Sequence, residues 1–93
     1  MNQPIDIMNQ PIDITAAARA LMLRMGQTWY RLGKLSLTED MYLRIVQEHP
    51  GTAEAESAQR DLLAIAAGFE AEGLFHLALA ILDRLEQAAV TSV

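Results

Sequence analysis

The second half of this sequence repeats the first at a fixed offset of 40 positions. Glycines, aromatic residues and aliphatic residues fall on like positions in the two halves. The matched pairs include Gly33 and Gly73, Trp29 and Phe69, Leu35 and Phe75, Tyr42 and Leu82, and Ile45 and Leu85. A self-similar period in this range is typical of stacked helical hairpins, because each unit needs a neighbouring unit to bury its apolar face. The repeat therefore predicts two similar helix hairpins.

Within each half, apolar residues recur at three- and four-residue spacing, which predicts helices. Each half is long enough for two helices joined by a short turn. The predicted bounds are Thr15 (as N-cap) to Leu32, Leu35 to Glu48, Thr52 (as N-cap) to Gly73, and Leu74 to Ala88. The segment from Ala88 to Val93 is expected to fray. The sequence thus predicts an all-α domain, residues 15–93, of two stacked antiparallel helix hairpins; a four-helix bundle without repeat stacking is the structural alternative.

Gly26 lies in the middle of the first predicted helix. Glycine in a helix interior costs up to about 1 kcal/mol relative to alanine. We therefore expect a second helix to cross close to Gly26. Trp29, on the apolar face of the same helix, is expected to be a core residue between the hairpins.

The first seven residues are repeated without change as residues 8–14. Pro4 and Pro11 favour extended backbone before them, so residues 1–14 are expected to form an extended or disordered arm. A duplicated start with Met8 as the true initiator is the preferred explanation, because termini are usually unordered unless they are tied down. A docking arm that lies against a neighbour is the alternative.

The composition excludes several classes of function. A net charge of −5 and a pI near 4.8 disfavour nucleic acid and anionic membranes as partners. The chain has no cysteine, so disulfides and thiolate metal sites are excluded. No basic segment leads into an apolar run at the N-terminus, and no run reaches the roughly 20 apolar residues that cross a bilayer. A soluble cytoplasmic protein is expected.

Catalysis is not expected, and neither is a cofactor or a metal. General acid–base chemistry needs titratable groups that converge in a sheltered cleft. His49 lies at a predicted helix end, where it suits the helix dipole, and His76 lies early in the fourth helix. The two histidines belong to separate hairpins and have no acidic companion at i+3 or i+4.

The repeat resembles the tetratricopeptide repeat family, in its bacterial type with long helices. With Arg19 as the first position of a unit, several residues stand where the family has its signature residues: the glycine Gly26, the aromatic Trp29, the turn Gly33 and Leu35, the large Tyr42, and the closing Pro50. The departures in the first unit are Met22, Thr38 and Ile45. In the second unit Ala66 replaces the glycine, no proline closes the unit, and the offset of 40 exceeds the family's 34.

The resemblance implies a right-handed superhelical fragment and a concave groove that takes a peptide. Matched by position, the groove would comprise Leu23, Gln27, Tyr30, Arg31, Arg60, Leu63 and Ala67, flanked by Ala20 and Glu70. Tyr30 is the expected anchor, because its ring offers contact area and a hydroxyl at small entropic cost. Arg31 and Arg60 either hold a carboxylate or serve only as solubilising charges. Leu23 and Gln27 replace the lysine and asparagine of the family's chaperone-binding clamp.

A second interaction surface is expected on the fourth helix. That helix is apolar over more of its circumference than one neighbouring helix can cover. We expect Leu74, Leu77, Ile81 and Leu85 to remain for a partner or for a second copy, as in a homodimer. The leading hypothesis is a non-catalytic scaffold or adaptor that self-associates or binds a partner peptide. The alternative is a small secretion-type chaperone that is stable only with its partner protein.

Overall fold

The computed structural model describes residues 14–91, which form four helices and no strand. The helices are α1 (Ile14–Arg31), α2 (Leu35–Glu48), α3 (Ala53–Ala71) and α4 (Phe75–Thr91). The predicted all-α class is therefore confirmed. The prediction of an N-terminal arm falls, except for Ile14, on residues outside the described part of the chain.

The predicted bounds of α2 agree with the structure, whereas both ends of the domain differ. Thr15 was expected to cap α1 but lies inside its first turn. The expected fraying after Ala88 is wrong for residues 89–91, because α4 continues to Thr91. The Thr91 hydroxyl donates to the backbone oxygen of Gln87 at 2.9 Å, so the last turn is hydrogen-bonded.

The two hairpins close with the same turn. Gly33 and Gly73 have φ of +76° and +80°, the left-handed conformation that glycine adopts without steric cost. The N–H of Lys34 donates to Trp29 O and the N–H of Leu74 donates to Phe69 O, each at 2.8 Å. These bonds are the outer bonds of a Schellman motif. The 40-residue repeat is thus a repeat of backbone geometry as well as of residue type.

Thr52 fixes the link between the hairpins. Its Oγ1 accepts from the N–H of Ala55 at 3.1 Å and donates to the carbonyl of His49 at 2.7 Å. The predicted N-cap is therefore confirmed. The cap thus ties the end of α2 to the start of α3 by hydrogen bonds.

The apolar core is built almost entirely by three helices. The buried hydrophobic residues of the described chain are Tyr42, Leu43, Ile45 and Val46 of α2, Ala55, Ala58, Leu62, Ile65 and Ala66 of α3, and Ala78, Ile81, Leu85 and Ala88 of α4. In α1 the single buried residue is Gly26. The helix α1 therefore packs along one side only, and most of its surface faces outward.

Gly26 is buried because the ring of Tyr42 packs on it. A Cβ at position 26 would come within 2.8 Å of Tyr42 Cδ1, closer than a side chain tolerates. The expected close crossing of a second helix is confirmed, and that helix is α2. Trp29 of α1 is half-buried.

The orientation of α4 differs from the predicted one. Ile81 and Leu85 were expected to stay exposed for a partner, but their exposed fractions are 3% and 7%. They are buried because α4 packs against α2 as well as α3. Leu82, by contrast, is 40% exposed.

Charged residues also join the two hairpins. The Arg84 guanidinium of α4 contacts Glu39 at 3.1 Å and Asp40 at 2.7 Å, both on α2. Arg19 of α1 contacts Glu54 of α3 at 3.1 Å. Ion pairs that remain partly open to solvent contribute modestly to stability, but they favour one choice of the faces at which the hairpins meet.

Candidate functional site

A depression of about 400 Å³ lies between the two hairpins. The first hairpin contributes three of the predicted groove residues, Gln27, Tyr30 and Arg31, and α3 contributes Asp61. The complete lining is Gln27, Tyr30, Arg31, Tyr42, Asp61, Ala64 and Ile65. Tyr30 is 53% exposed, so its ring is accessible from solvent at this depression.

Tyr42 and Asp61 make a polar contact at the floor of this depression. Burial raises the pKa of the Tyr42 phenol well above its ordinary value, and the hydrogen bond to Asp61 and the negative charge of that carboxylate raise it further. The positive charge of Arg31 acts in the opposite direction. Arg31 also donates to the Thr28 hydroxyl at 3.2 Å, which orients the guanidinium on α1.

The remaining groove residues do not join this depression. Leu63 and Ala67 line a second one, of about 290 Å³, on the second hairpin. Leu23 packs partly buried against the core, and Arg60 is exposed on α3. The residues predicted for one continuous groove are therefore divided between two depressions.

The second depression belongs to a larger apolar surface, which we call the open wall. The open wall comprises Leu63, Ala67, Phe75, Leu79 and Leu82. Phe75 is 59% exposed and Leu79 is 64% exposed, which is unusual for side chains of this size on one contiguous surface. Glu70 lies at this depression, and Asp83 and Glu86 line an adjoining one that shares Leu79 and Leu82. The open wall is thus apolar with acidic residues at its edge.

The open wall is the repeat counterpart of a surface that is covered in the first hairpin. Gln27, Tyr30 and Tyr42 line the depression between the hairpins, on which α3 packs. Their counterparts 40 positions later are Ala67, Glu70 and Leu82, which line the second depression. The same surface therefore occurs twice, once against α3 and once open to solvent.

The predicted partner surface on α4 lies elsewhere. Leu74 and Leu77 are 36% and 38% exposed, and Leu77 lines a depression with Leu35 and Glu39 of α2. Because Ile81 and Leu85 are buried in the chain's own core, these four residues do not form an exposed patch.

Sequence reasoning did not single out Leu79, although it is among the most exposed leucines of the described chain. A signal was present in the repeat. Leu79 stands 40 positions after Glu39, and Ala80 stands 40 positions after Asp40. When a position is acidic in one unit and apolar in the other, the two units are expected to have different surroundings at that position.

The two histidines line neither of the two depressions described above. His49 is half-buried at the end of α2, and His76 is exposed at the start of α4. Within residues 14–91, no three His, Cys, Asp or Glu side chains gather in a way that could hold a metal ion. No helix in that range is long and apolar enough to cross a membrane.

Comparisons of the chain with protein-family models, with curated proteins and with solved structures found no match.

Proposed function

We propose that this chain is a non-catalytic protein–protein interaction module, a tetratricopeptide-like scaffold or adaptor of the cytoplasm. The observation that carries this proposal is the open wall. Contiguous exposed apolar area with a polar edge is typical of protein interfaces, whereas monomeric surfaces rarely carry it. The two hairpin turns with the same backbone geometry support the resemblance to stacked helical repeats.

The internal repeat supports this use of the open wall. In the first hairpin the equivalent surface takes a helix, α3, whose small residues Ala55 and Ala58 are buried. The open wall also has small residues, Ala66 and Ala78, in its depression. These small residues support a helix as the occupant of the open wall.

The proposal is tested by Leu79→Glu, which places a carboxylate in the centre of the open wall. Leu79 is 64% exposed, so the variant should keep the helix content and the unfolding midpoint of the wild type. Solution mass by light scattering and capture of proteins from lysate are compared for both chains. Wild-type complexes that disappear in the variant support the proposal. A wild type that stays monomeric and is recovered alone overturns it.

The depression between the hairpins supports a second binding mode, for an extended peptide. Tyr30 offers an exposed ring, and Arg31 offers a guanidinium beside it. A peptide with a carboxylate next to an apolar side chain would match this pair. Titration of such peptides into wild type and into Tyr30→Ala separates this mode from use of the open wall, because Tyr30 is not part of that wall.

The alternative of a secretion-type chaperone is distinguished by expression alone. A chain that depends on its partner for folding should be aggregated or poorly helical when it is purified by itself. Cooperative unfolding of the isolated chain would count against that alternative.

A further inference from the structure

The two hairpins carry opposite net charge. Residues 14–48 contain five Lys and Arg and three Asp and Glu, a net charge of +2, whereas residues 53–91 contain two Arg and seven Asp and Glu, a net charge of −5. The helix α1 has three arginines and no acidic residue. The open wall lies on the acidic hairpin. A partner for it should therefore be a basic helix with a small or aliphatic contact face.

The helix α1 has such a face, and no other described helix covers that face. Ile14 and Leu21 are 74% and 50% exposed, and Ala17, Ala18 and Arg24 are exposed as well. These residues recur at three- and four-residue spacing, so they lie on one side of the helix. α1 buries Gly26 alone, although its repeat counterpart α3 buries five residues.

The same face of α3 meets the first hairpin inside the chain. Glu54 contacts Arg19 of α1, Asp61 interacts with Tyr42 of α2, and Ala64 lines the depression between the hairpins. The positions 40 residues earlier are Ile14, Leu21 and Arg24. The exposed face of α1 is therefore the face with which a hairpin of this repeat packs on the hairpin before it.

We infer that a second copy of this chain covers the open wall with its α1, in the place that a third hairpin would occupy. This inference rests on the proposed interaction function and names its partner. The repeat register fixes the contacts. Leu21 of one copy lies on Leu82 of the other, where Asp61 meets Tyr42 within the chain. Arg24 lies beside Glu70, where Ala64 lies near Tyr30.

The contact is heterologous, because it joins two different surfaces. A symmetric dimer through two open walls would instead bring two hairpins of net charge −5 together, with Glu70, Asp83 and Glu86 facing the same residues. A head-to-tail contact leaves α1 free at one end and an open wall free at the other. Further copies can therefore add until a ring closes or the free protein is consumed. Solution mass should rise with protein concentration and fall with salt.

The test uses two glutamate variants that block one surface each. Leu21→Glu blocks the α1 face and Leu82→Glu blocks the open wall. Each should weaken self-association by on the order of a hundredfold, because it places a charge where a leucine is buried. Each variant alone should then be monomeric. Mixed at equal amounts, they should form a complex of two chains and grow no further, because one intact surface of each kind remains.

Other outcomes overturn the inference. A Leu21→Glu chain that still dimerises alone, with a monomeric Leu82→Glu chain, assigns the open wall to a symmetric dimer. A wild type that is monomeric at all concentrations but captures a foreign protein leaves the proposed function standing and removes the second copy as partner. A wild type that neither assembles nor captures a protein removes both.

A matched control keeps the comparison specific. Leu37→Glu introduces the same charge on α2, at a leucine that is 43% exposed and belongs neither to the α1 face nor to the open wall. This variant should assemble as the wild type does. If either blocking variant lost helix content by circular dichroism, Leu21→Ser and Leu82→Ser would replace it in the same mixing experiment. In a further test, Arg24→Glu and Glu70→Arg should each weaken assembly about tenfold and restore it when both are in one chain.

Discussion

Tyr42 and Leu82 occupy the same place in the two hairpins, yet their surroundings differ. Tyr42 is 2% exposed, with Gly26 on one side and Asp61 beyond its hydroxyl. Leu82 is 40% exposed and lines the same depression as Ala66, the counterpart of Gly26. The difference arises because α3 covers the first hairpin and no described helix covers the second. Comparison of the two units therefore shows how a covering helix changes the exposure of this surface.

The largest effect is expected when the side chains at the two equivalent positions, Tyr42 and Leu82, are each truncated to alanine. Tyr42→Ala should lower the free energy of unfolding by about 3–5 kcal/mol, because it leaves a cavity between hairpins. Leu82→Ala should cost only about 1 kcal/mol, since the side chain is partly exposed already. Urea unfolding at protein concentrations low enough for monomers measures both. Equal losses at the two positions would contradict the assignment of Tyr42 to a covered surface.

The second test gives the first hairpin the residue pair that the second hairpin has at the equivalent positions. Gly26→Ala should destabilise the chain by about 1–3 kcal/mol, although alanine is the better helix former, because the new methyl group collides with the Tyr42 ring. Gly26→Ala combined with Tyr42→Leu recreates the Ala66 and Leu82 pair of the second hairpin. In a double-mutant cycle this combination should cost clearly less than the sum of the single changes. Additive losses would show that the two residues are not coupled.

The third test concerns two arginines at equivalent positions. Arg84 joins the hairpins through Glu39 and Asp40, whereas Arg44 contacts Glu48 within its own helix at 3.1 Å. Arg84→Ala should cost about 0.5–1 kcal/mol and Arg44→Ala about half as much, since both pairs are largely exposed. The difference should shrink in high salt. An Arg44→Ala loss as large as that of Arg84→Ala would contradict a joining role for Arg84.

The smallest effect is expected at Glu54, whose repeat counterpart is Ile14. The pKa of Glu54 lies below the ordinary value of 4.5, first because its carboxylate accepts from its own backbone N–H and then because of Arg19. A lowered pKa in the folded state stabilises the fold above the ordinary pKa, and this contribution is lost as the pH falls below 4.5. Glu54→Gln should therefore be slightly less stable than wild type near neutral pH. Thermal unfolding of both chains in acid should remove that difference.

The local features of the fold were predictable, because their causes are local. Gly33 and Gly73 follow apolar helix runs and precede new ones, which is the pattern of a Schellman turn. Thr52 follows Pro50 and Gly51 and precedes Glu54, which marks a helix start. A close helix crossing at Gly26 also followed from the cost of glycine in a helix.

The orientation of α4 was not predictable in this way. Its sequence has leucine, isoleucine, phenylalanine or alanine on nearly every side, so its periodicity does not select the face that is buried. The choice is made by contacts with α2, which are distant in sequence, and Arg84 takes part in them. For the same reason the open wall was missed. Exposure of Leu79 follows from the position of α2, not from any residue near it in the chain.

The separation of charge between the hairpins also gives the described part of the chain an electric dipole. Two such dipoles turn each other end to end before they touch, so the basic end of one molecule approaches the acidic end of the next more often than chance allows. Ionic strength should then act mainly on the rate at which complexes form, whereas leucine substitutions in the contact should act on their lifetime. Because the charge changes sign between the two hairpins, the rate at which complexes form and the lifetime of those complexes can change independently.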